Sequence, residues 1–140
     1  MIPDSNNQII GTVADSPTGN PVLNLPGCIV VIPAHNESKD IGHVISKIRR
    51  LTSFEVIVVD DASTDDTMSQ AREAGARVVP LSVHPGAWGA TQTGLRCALR
   101  NECAYAITMD ADGQHLAESR SALLEPILKR EADVAIGACT

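Results

Sequence analysis

Short apolar runs alternate with segments of helical periodicity from residue 27 onward, and this alternation constrains the fold more than any other feature of the chain. The first run, residues 28–32, is apolar throughout and rich in β-branched residues, which is typical of a strand buried on both faces. The next segment carries four apolar residues at the spacing of one helix face: Ile41, Val44, Ile45 and Ile48. The sequence therefore predicts an α/β fold with a mainly parallel sheet and helices on both faces.

The same pattern places the other elements along the chain. Further strands are predicted at residues 56–59, 77–79, 105–109 and 134–136, and further helices at 90–100 and 118–129. Asn36 or Ser38 is predicted to cap the first helix. Another helix is predicted to start at Ser63, which with Asp66 resembles a capping box, and to end at Gly75.

Composition and charge exclude some classes of partner. The chain has 140 residues, enough for one compact domain, and only 2% of them are aromatic, so the core is expected to be aliphatic. A protein that stacks bases on aromatic side chains is not expected, and a net charge of −6 would repel a nucleic-acid backbone. A phosphorylated small molecule can still bind an acidic protein if a divalent cation or backbone N–H groups supply positive charge.

The sequence also predicts a division into a leader and a domain, and a reducing cellular compartment. Residues 1–26 are rich in Asn, Ser, Pro and Gly and are predicted to form a flexible leader, followed by one domain over residues 27–140. The four cysteines form no C-x-x-C pair, and we expect buried free thiols in a reducing compartment. No apolar stretch approaches the ~20 residues of a membrane span, so a cytoplasmic protein is expected.

Acidic or polar residues follow three of the predicted strands. They are residues 33–37 after the first strand, 60–63 after the second and 110–115 after the fourth. Because ligands of open α/β sheets bind outside the carboxyl ends of the strands, these segments are predicted to line one rim. The carboxylates expected there are Glu37, Asp60, Asp61, Asp110 and Asp112. Since like charges repel, we expect a cation among them.

Asp110 and Asp112 are the leading candidates for ligands of that cation. They are hard oxygen ligands one residue apart, with the small Ala111 between them, and both can reach one Mg²⁺ or Mn²⁺ that keeps open positions for phosphate oxygens. A D-x-D turn by itself is commonly no more than a solvated acidic turn. Its position directly after an apolar strand, with two other acidic strand ends on the same rim, favours the metal site.

Three segments resemble a known family. Residues 31–37 (VIPAHNE), 58–65 (VVDDASTD) and 110–115 (DADGQH) resemble, in order and spacing, the family-2 glycosyltransferases of GT-A fold. The similarity is greatest to the dolichyl- and polyprenyl-phosphate sugar transferases, and residues 132–137 (ADVAIG) also fit. The resemblance implies a Rossmann-like half that binds a nucleoside-diphosphate sugar. It also implies that the acceptor half of such an enzyme lies beyond Thr140, so that the chain is truncated.

The resemblance implies a role for each matching residue. Pro33, His35 and Glu37 fall where the family lines its nucleotide pocket. Asp61 falls where a carboxylate reads the base or ribose, with Val59 beside it. The resemblance implies that the D-x-D pair, Asp110 and Asp112, holds the catalytic metal, with a third contact from Gln114. It also implies that substrate contacts Ala111, the residue between the two aspartates.

One loop departs from the family pattern. Residues 84–90 (HPGAWGA) lack the basic residue common there, so a phosphate contact from this loop is not expected. Trp88 has two interpretations, either an aromatic wall for a base or sugar, or a residue that packs helix against sheet. His84 is read as a loop residue without an evident partner.

The implied reaction is sugar transfer from a nucleoside diphosphate to an acceptor, with a metal neutralising the charge on the leaving diphosphate. A hydroxyl acceptor would need a general base, for which His115 is the one candidate. A lipid phosphate at the membrane surface is already ionised and would need none, which would make the protein peripheral to the membrane. The sequence does not choose between these acceptors.

Two other functions are compatible with parts of the sequence. The chain is alternatively a truncated domain that binds nucleotide-sugar and metal without turnover. A phosphotransferase of the haloacid-dehalogenase type also uses D-x-D after a strand, but after the first strand, whereas this pair follows the fourth.

Overall fold

The computed structural model describes residues 12–15, 21–24, 27–111 and 129–130. The strands are β1 Thr12–Asp15, β2 Pro21–Asn24, β3 Cys28–Ala34, β4 Glu55–Asp60, β5 Arg77–Pro80 and β6 Tyr105–Thr108. The helices are α1 Ile41–Leu51, α2 Thr67–Glu73 and α3 Ala87–Arg100. Strands β3 to β6 form one sheet in the order β5-β4-β3-β6, and every neighbouring pair in it is parallel. The predicted α/β class and parallel sheet are confirmed.

The two faces of the sheet bury alternate residues of β3 and β4, as the two-residue period of a strand requires. Val30 and Ile32 pack with the buried face of α1, which includes Ile45. Val31 and Val59 pack with Ala90 and Ala98 of α3. Both strands are therefore covered on both sides, which confirms the prediction drawn from their uninterrupted apolar runs.

The predicted helix starts are wrong in detail. The N-cap of α1 is Asp40, and the N-cap of α2 is Asp66; neither makes a capping side-chain hydrogen bond. Asn36, Ser38 and Ser63 do not cap either helix. Gly75, in contrast, follows the end of α2 with φ +98°, a backbone conformation that glycine adopts without strain, as predicted.

An antiparallel hairpin of β1 and β2 precedes the parallel sheet. The sequence analysis did not predict it, and the division into a leader and a domain stays a prediction. The predicted helix at residues 118–129 and strand at 134–136 lie outside the described residues, apart from residue 129. Within the described ranges, no helix is both long and apolar enough to cross a bilayer.

Candidate functional site

A pocket of about 210 Å³ opens at the carboxyl ends of β3 and β6. These two strands are neighbours in the sheet, so the residues that follow them lie side by side. The lining is Pro33, Ala34, His35, Glu37, Ala87, Asp110 and Ala111. Five of these seven residues were predicted from the sequence as binding or metal residues; Ala34 and Ala87 were not. Ala87 is the first residue of α3, so the start of that helix forms part of the wall.

The other predicted site residues that the structure describes are not among those that line the pocket. Val59 is fully buried on the α3 side of the sheet, and Asp61 is 2% exposed; neither lines the pocket. Asp112 and Gln114 lie outside the described residues, so the proposed metal set with Asp110 stays a prediction. Asp110 itself is exposed and lies in the pocket wall.

Hydrogen bonds hold the loop after β3 against the loop after β4. The Asn36 amide N–H donates to Ser63 Oγ at 2.9 Å, and the Thr64 amide N–H donates to Asn36 Oδ1 at 2.8 Å. The Glu37 amide N–H donates to Thr67 Oγ1 at 2.9 Å. Asn36 has φ 53°, and asparagine is among the residues that tolerate this left-handed conformation. These bonds fix the chain direction at the pocket edge and use the side chains that were expected to cap helices.

Asp65 reinforces the same junction. Its carboxylate accepts hydrogen bonds from the Thr67 hydroxyl, from the Thr67 amide N–H at 3.0 Å and from the Ser38 amide N–H at 3.3 Å. The bond from the Thr67 hydroxyl is the largest of the effects that lower the pKa of Asp65 to about 2. Thr67 is fully buried and links Asp65 to the backbone of Glu37. Sequence reasoning missed this network, although its Asn, Ser, Thr and Asp residues are those that commonly bond to nearby backbone.

Two buried carboxylates follow one another at the end of β4. Asp60 is 4% exposed and Asp61 is 2% exposed. The Asp61 amide N–H donates to the Ala34 carbonyl at 2.7 Å, which continues the pairing of β4 with β3. Within the described residues, Oδ1 of each carboxylate has no hydrogen-bond partner. A buried carboxylate oxygen without a partner is costly, so these atoms suit a donor or a cation supplied by a ligand.

Two histidines lie over Asp61. His35 Nδ1 is 2.6 Å from the Asp61 carbonyl oxygen and must donate, because a carbonyl only accepts. His84 Nδ1 is 2.8 Å from Asp61 Oδ2 and 3.2 Å from the same carbonyl oxygen. The two rings are 4.2 Å apart between centroids and tilted by 33°. The interpretation of His84 as a residue without a partner is therefore wrong, because the loop after β5 brings it onto Asp61.

Trp88 follows the first residue of α3 and is 73% exposed. A residue that packs a helix against a sheet would be buried, so that interpretation is wrong. The alternative, an aromatic wall beside the pocket, stays a prediction. It is consistent with the neighbouring Ala87, which lines the pocket.

Sequence comparison identifies relatives of the chain. The sequence model of the family described as Glycosyl transferase family 2 matches residues 29–140. An undecaprenyl-phosphate mannosyltransferase of Micrococcus luteus is 32% identical over 115 residues, which cover 78% of this chain and 46% of the relative. A UDP-N-acetylglucosamine–dolichyl-phosphate N-acetylglucosaminyltransferase of Methanococcus voltae is 29% identical over 125 residues, covering 77% and 50%. The chain spans about half the length of these curated relatives.

Comparison with solved structures also finds sugar-transferring enzymes. A glucosyl-3-phosphoglycerate synthase from Mycobacterium tuberculosis was crystallised with Mn²⁺, uridine-diphosphate-glucose and phosphoglyceric acid. It aligns with a TM-score of 0.54 and 32% identity, and the alignment covers 74% of this chain and 40% of that one. A second structure of the synthase, in complex with Mg²⁺ and uridine diphosphate, aligns with a TM-score of 0.51.

Proposed function

The chain belongs to glycosyl transferase family 2, and from that premise we propose that it binds a nucleoside-diphosphate sugar together with Mg²⁺ or Mn²⁺ and transfers the sugar to an acceptor. The observation that carries the proposal is the pocket at the ends of β3 and β6. It brings Pro33, His35 and Glu37 from one strand end together with Asp110 from the other. The haloacid-dehalogenase alternative has no comparable support.

The donor set of the pocket fits a hard divalent cation. Asp110 is an exposed carboxylate in the wall, and a volume of about 210 Å³ leaves room for phosphate oxygens beside it. We assign the metal to Asp110, Asp112 and Gln114, and Ala111 to the contact with substrate. When bound, the cation would neutralise charge on the leaving diphosphate, which explains how an acidic rim can accept an anionic substrate.

The nucleoside end of the substrate is assigned to the ends of β3 and β4. His35 contributes to the pocket wall and bonds to Asp61, so it links the pocket to the buried carboxylate. Asp61 would accept a hydrogen bond from the base or ribose, and its Oδ1, which has no hydrogen-bond partner among the described residues, supports that role. Because Asp61 is buried and the His84 ring lies over its carboxylate, a nucleoside reaches this residue only if His84 moves away. Val59, which was predicted to bind substrate, is fully buried and packs with α3 in the core two residues before Asp61.

A lipid phosphate is the acceptor we favour. Its oxygen is ionised near neutral pH, so the site needs no general base. Two relatives are named for undecaprenyl phosphate and dolichyl phosphate as acceptors. The protein would then work at the surface of a membrane.

The alternative is a domain that binds the nucleotide-sugar without turnover. The chain spans about half the length of its curated relatives. Incubation with UDP-, GDP- and dTDP-sugars in Mn²⁺, with and without a polyprenyl phosphate, separates the two functions. Transfer or hydrolysis supports the enzyme, whereas binding without either supports the binding domain.

The decisive experiment compares nucleotide-sugar affinity in Mn²⁺ for the wild type and Asp112→Ala. We expect the variant to lose the Mn²⁺-dependent part of the affinity, since a carboxylate ligand is removed. Asp40→Ala is the matched control, because Asp40 is an exposed carboxylate at the start of α1 that makes no capping bond. Equal affinity in wild type and Asp112→Ala would remove the metal assignment.

A further inference from the structure

Three potential metal ligands meet at the ends of three adjacent strands. His35 follows β3, Asp61 follows β4 and His84 follows β5 after a short loop. Each offers one ligand atom, and the three atoms lie within 4.8 Å of one another. We propose that His35, Asp61 and His84 form a second metal site that binds Zn²⁺ or a similar transition-metal ion, separate from the site assigned to Asp110.

The ligand types distinguish the two sites. Two imidazole nitrogens and one carboxylate oxygen suit Zn²⁺, Ni²⁺ and Co²⁺, whereas Mg²⁺ prefers oxygen ligands alone. Three protein ligands leave open positions on the ion for water or a substrate atom. A transition metal therefore selects the His35–Asp61–His84 group, and Mg²⁺ selects the oxygen ligands around Asp110.

Burial of the Asp61 carboxylate favours the binding of a cation. Asp61 is 2% exposed, and within the described part of the chain its Oδ1 has no hydrogen-bond partner. Burial disfavours an isolated negative charge unless a cation or several donors compensate it. Of the two carboxylate oxygens, Oδ2 lies 2.8 Å from His84 Nδ1, so it is the oxygen that a metal would share with this histidine.

Hydrogen bonds direct both rings at one point. His35 Nδ1 and His84 Nδ1 are 2.6 and 3.2 Å from the same Asp61 carbonyl oxygen. Both histidines are exposed, so their rings can rotate without disturbing the core. A metal bound at Nδ1 requires each neutral imidazole to carry its proton on Nε2 instead, and the ion then takes over the attraction to Asp61.

Occupation of this site would regulate the proposed function. This step depends on the proposal that Asp61 contacts the nucleoside. A metal bound to Asp61 occupies the carboxylate and holds His84 in place over it. Zn²⁺ and nucleotide should therefore compete, so that Zn²⁺ weakens nucleotide binding while Mg²⁺ supports it.

The site is tested by titrating the full chain with Zn²⁺ in a calorimeter, and with Co²⁺ followed by visible absorption, in the absence of nucleotide. We expect His84→Ala to weaken Zn²⁺ binding by at least about tenfold, since perturbing even supporting residues of a metal site typically has effects of this size. The control is His43→Ala, because His43 is an exposed histidine on α1 outside the group. His84 is 54% exposed, so its removal should not prevent folding.

Each other outcome has a definite meaning. Equal Zn²⁺ affinity in wild type and His84→Ala overturns the site, and so do intense sulfur-to-cobalt bands, which would place the metal on cysteines. Loss of Zn²⁺ binding in Asp110→Asn but not in His84→Ala would assign the ion to the other site. Nucleotide affinity unchanged by Zn²⁺ overturns the competition. The proposed function fails separately, through Asp112→Ala in Mn²⁺, and that failure leaves the Zn²⁺ titration standing.

Discussion

His84 covers the carboxylate of Asp61. Its Nδ1 lies 2.8 Å from Asp61 Oδ2, and the histidine side chain is 54% exposed while that of the aspartate is 2% exposed. A ligand that approaches from solvent therefore meets the imidazole before the carboxylate. Since His84 bonds to Oδ2 and lies over the buried carboxylate, this histidine competes with the substrate for Asp61.

His84→Ala should strengthen nucleotide binding in a Zn²⁺-free buffer with Mg²⁺. The substrate would no longer displace a hydrogen bond worth about 1 kcal/mol after solvent screening, which corresponds to roughly fivefold in affinity. Calorimetric titration with UDP compares wild type, His84→Ala and the control His43→Ala. Weaker binding by His84→Ala alone would mean that the histidine holds Asp61 in its binding position instead of covering it.

The junction of the β3 and β4 loops should show a pH-dependent stability that comes from Asp65. Its pKa is lowered to about 2, chiefly by the hydrogen bond from the Thr67 hydroxyl, so the charged form is favoured in the folded state. A lowered pKa stabilises the fold above the ordinary value of 3.8, and the contribution disappears as pH falls through about 2. Asp65→Asn should be less stable than wild type at pH 7, and the difference should shrink between pH 4 and pH 2.

Urea denaturation at several pH values measures this difference. Asp66→Asn is the neighbouring control, because Asp66 makes no side-chain capping bond at the start of α2. A difference between wild type and Asp65→Asn that stays constant down to pH 2 would contradict the assignment to the Asp65 charge.

The thiol of Cys28 should be inert in the folded protein. Burial, and then the nearby Cys103, raise its pKa to about 12, so the reactive thiolate is scarce near neutral pH. Cys97 and Cys103 are only partly buried. Alkylation with iodoacetamide at pH 8, followed by peptide mass spectrometry, should modify these two well before Cys28. In urea, all three should react at similar rates, and early modification of Cys28 in the native protein would show that β3 opens readily.

The parallel sheet and its rim could be predicted because both depend on local patterns. Apolar runs such as residues 28–32 indicate strands buried on both faces, and residues after parallel strands must gather at one edge. That argument correctly brought Glu37 and Asp110 into one pocket. It could not place the ring of His84, because the path of the loop after β5 depends on contacts between segments distant in sequence.

The predictions of the helix starts were wrong for a related physical reason. Asn36 and Ser63 have the side chains of capping residues, but each is engaged with the opposite loop. A local rule assigns such a side chain to the N-terminus of the nearest helix. In the fold, the side chain instead forms its hydrogen bond with a partner about 27 residues away. The β1–β2 hairpin was missed because its strands are short and lie in a polar stretch.

Gly94→Ala should destabilise the fold because Gly94 lies where α3 packs tightly against the sheet. An added Cβ would lie 2.2 Å from Val31 Cγ1 and 3.2 Å from Val59 Cγ2, and both valines are fully buried. Forcing a methyl group into a packed core costs about 1–3 kcal/mol, although alanine itself favours helix. Gly42→Ala in α1 is the matched control, since the nearest atom to its added Cβ is at 3.9 Å. Thermal unfolding should therefore show a lower Tm for Gly94→Ala and an unchanged or slightly higher Tm for Gly42→Ala. Equal Tm values for the two variants would mean that α3 can move away from β3 and β4 without loss of stability. The part of the pocket wall formed by Ala87 would then not be held rigidly.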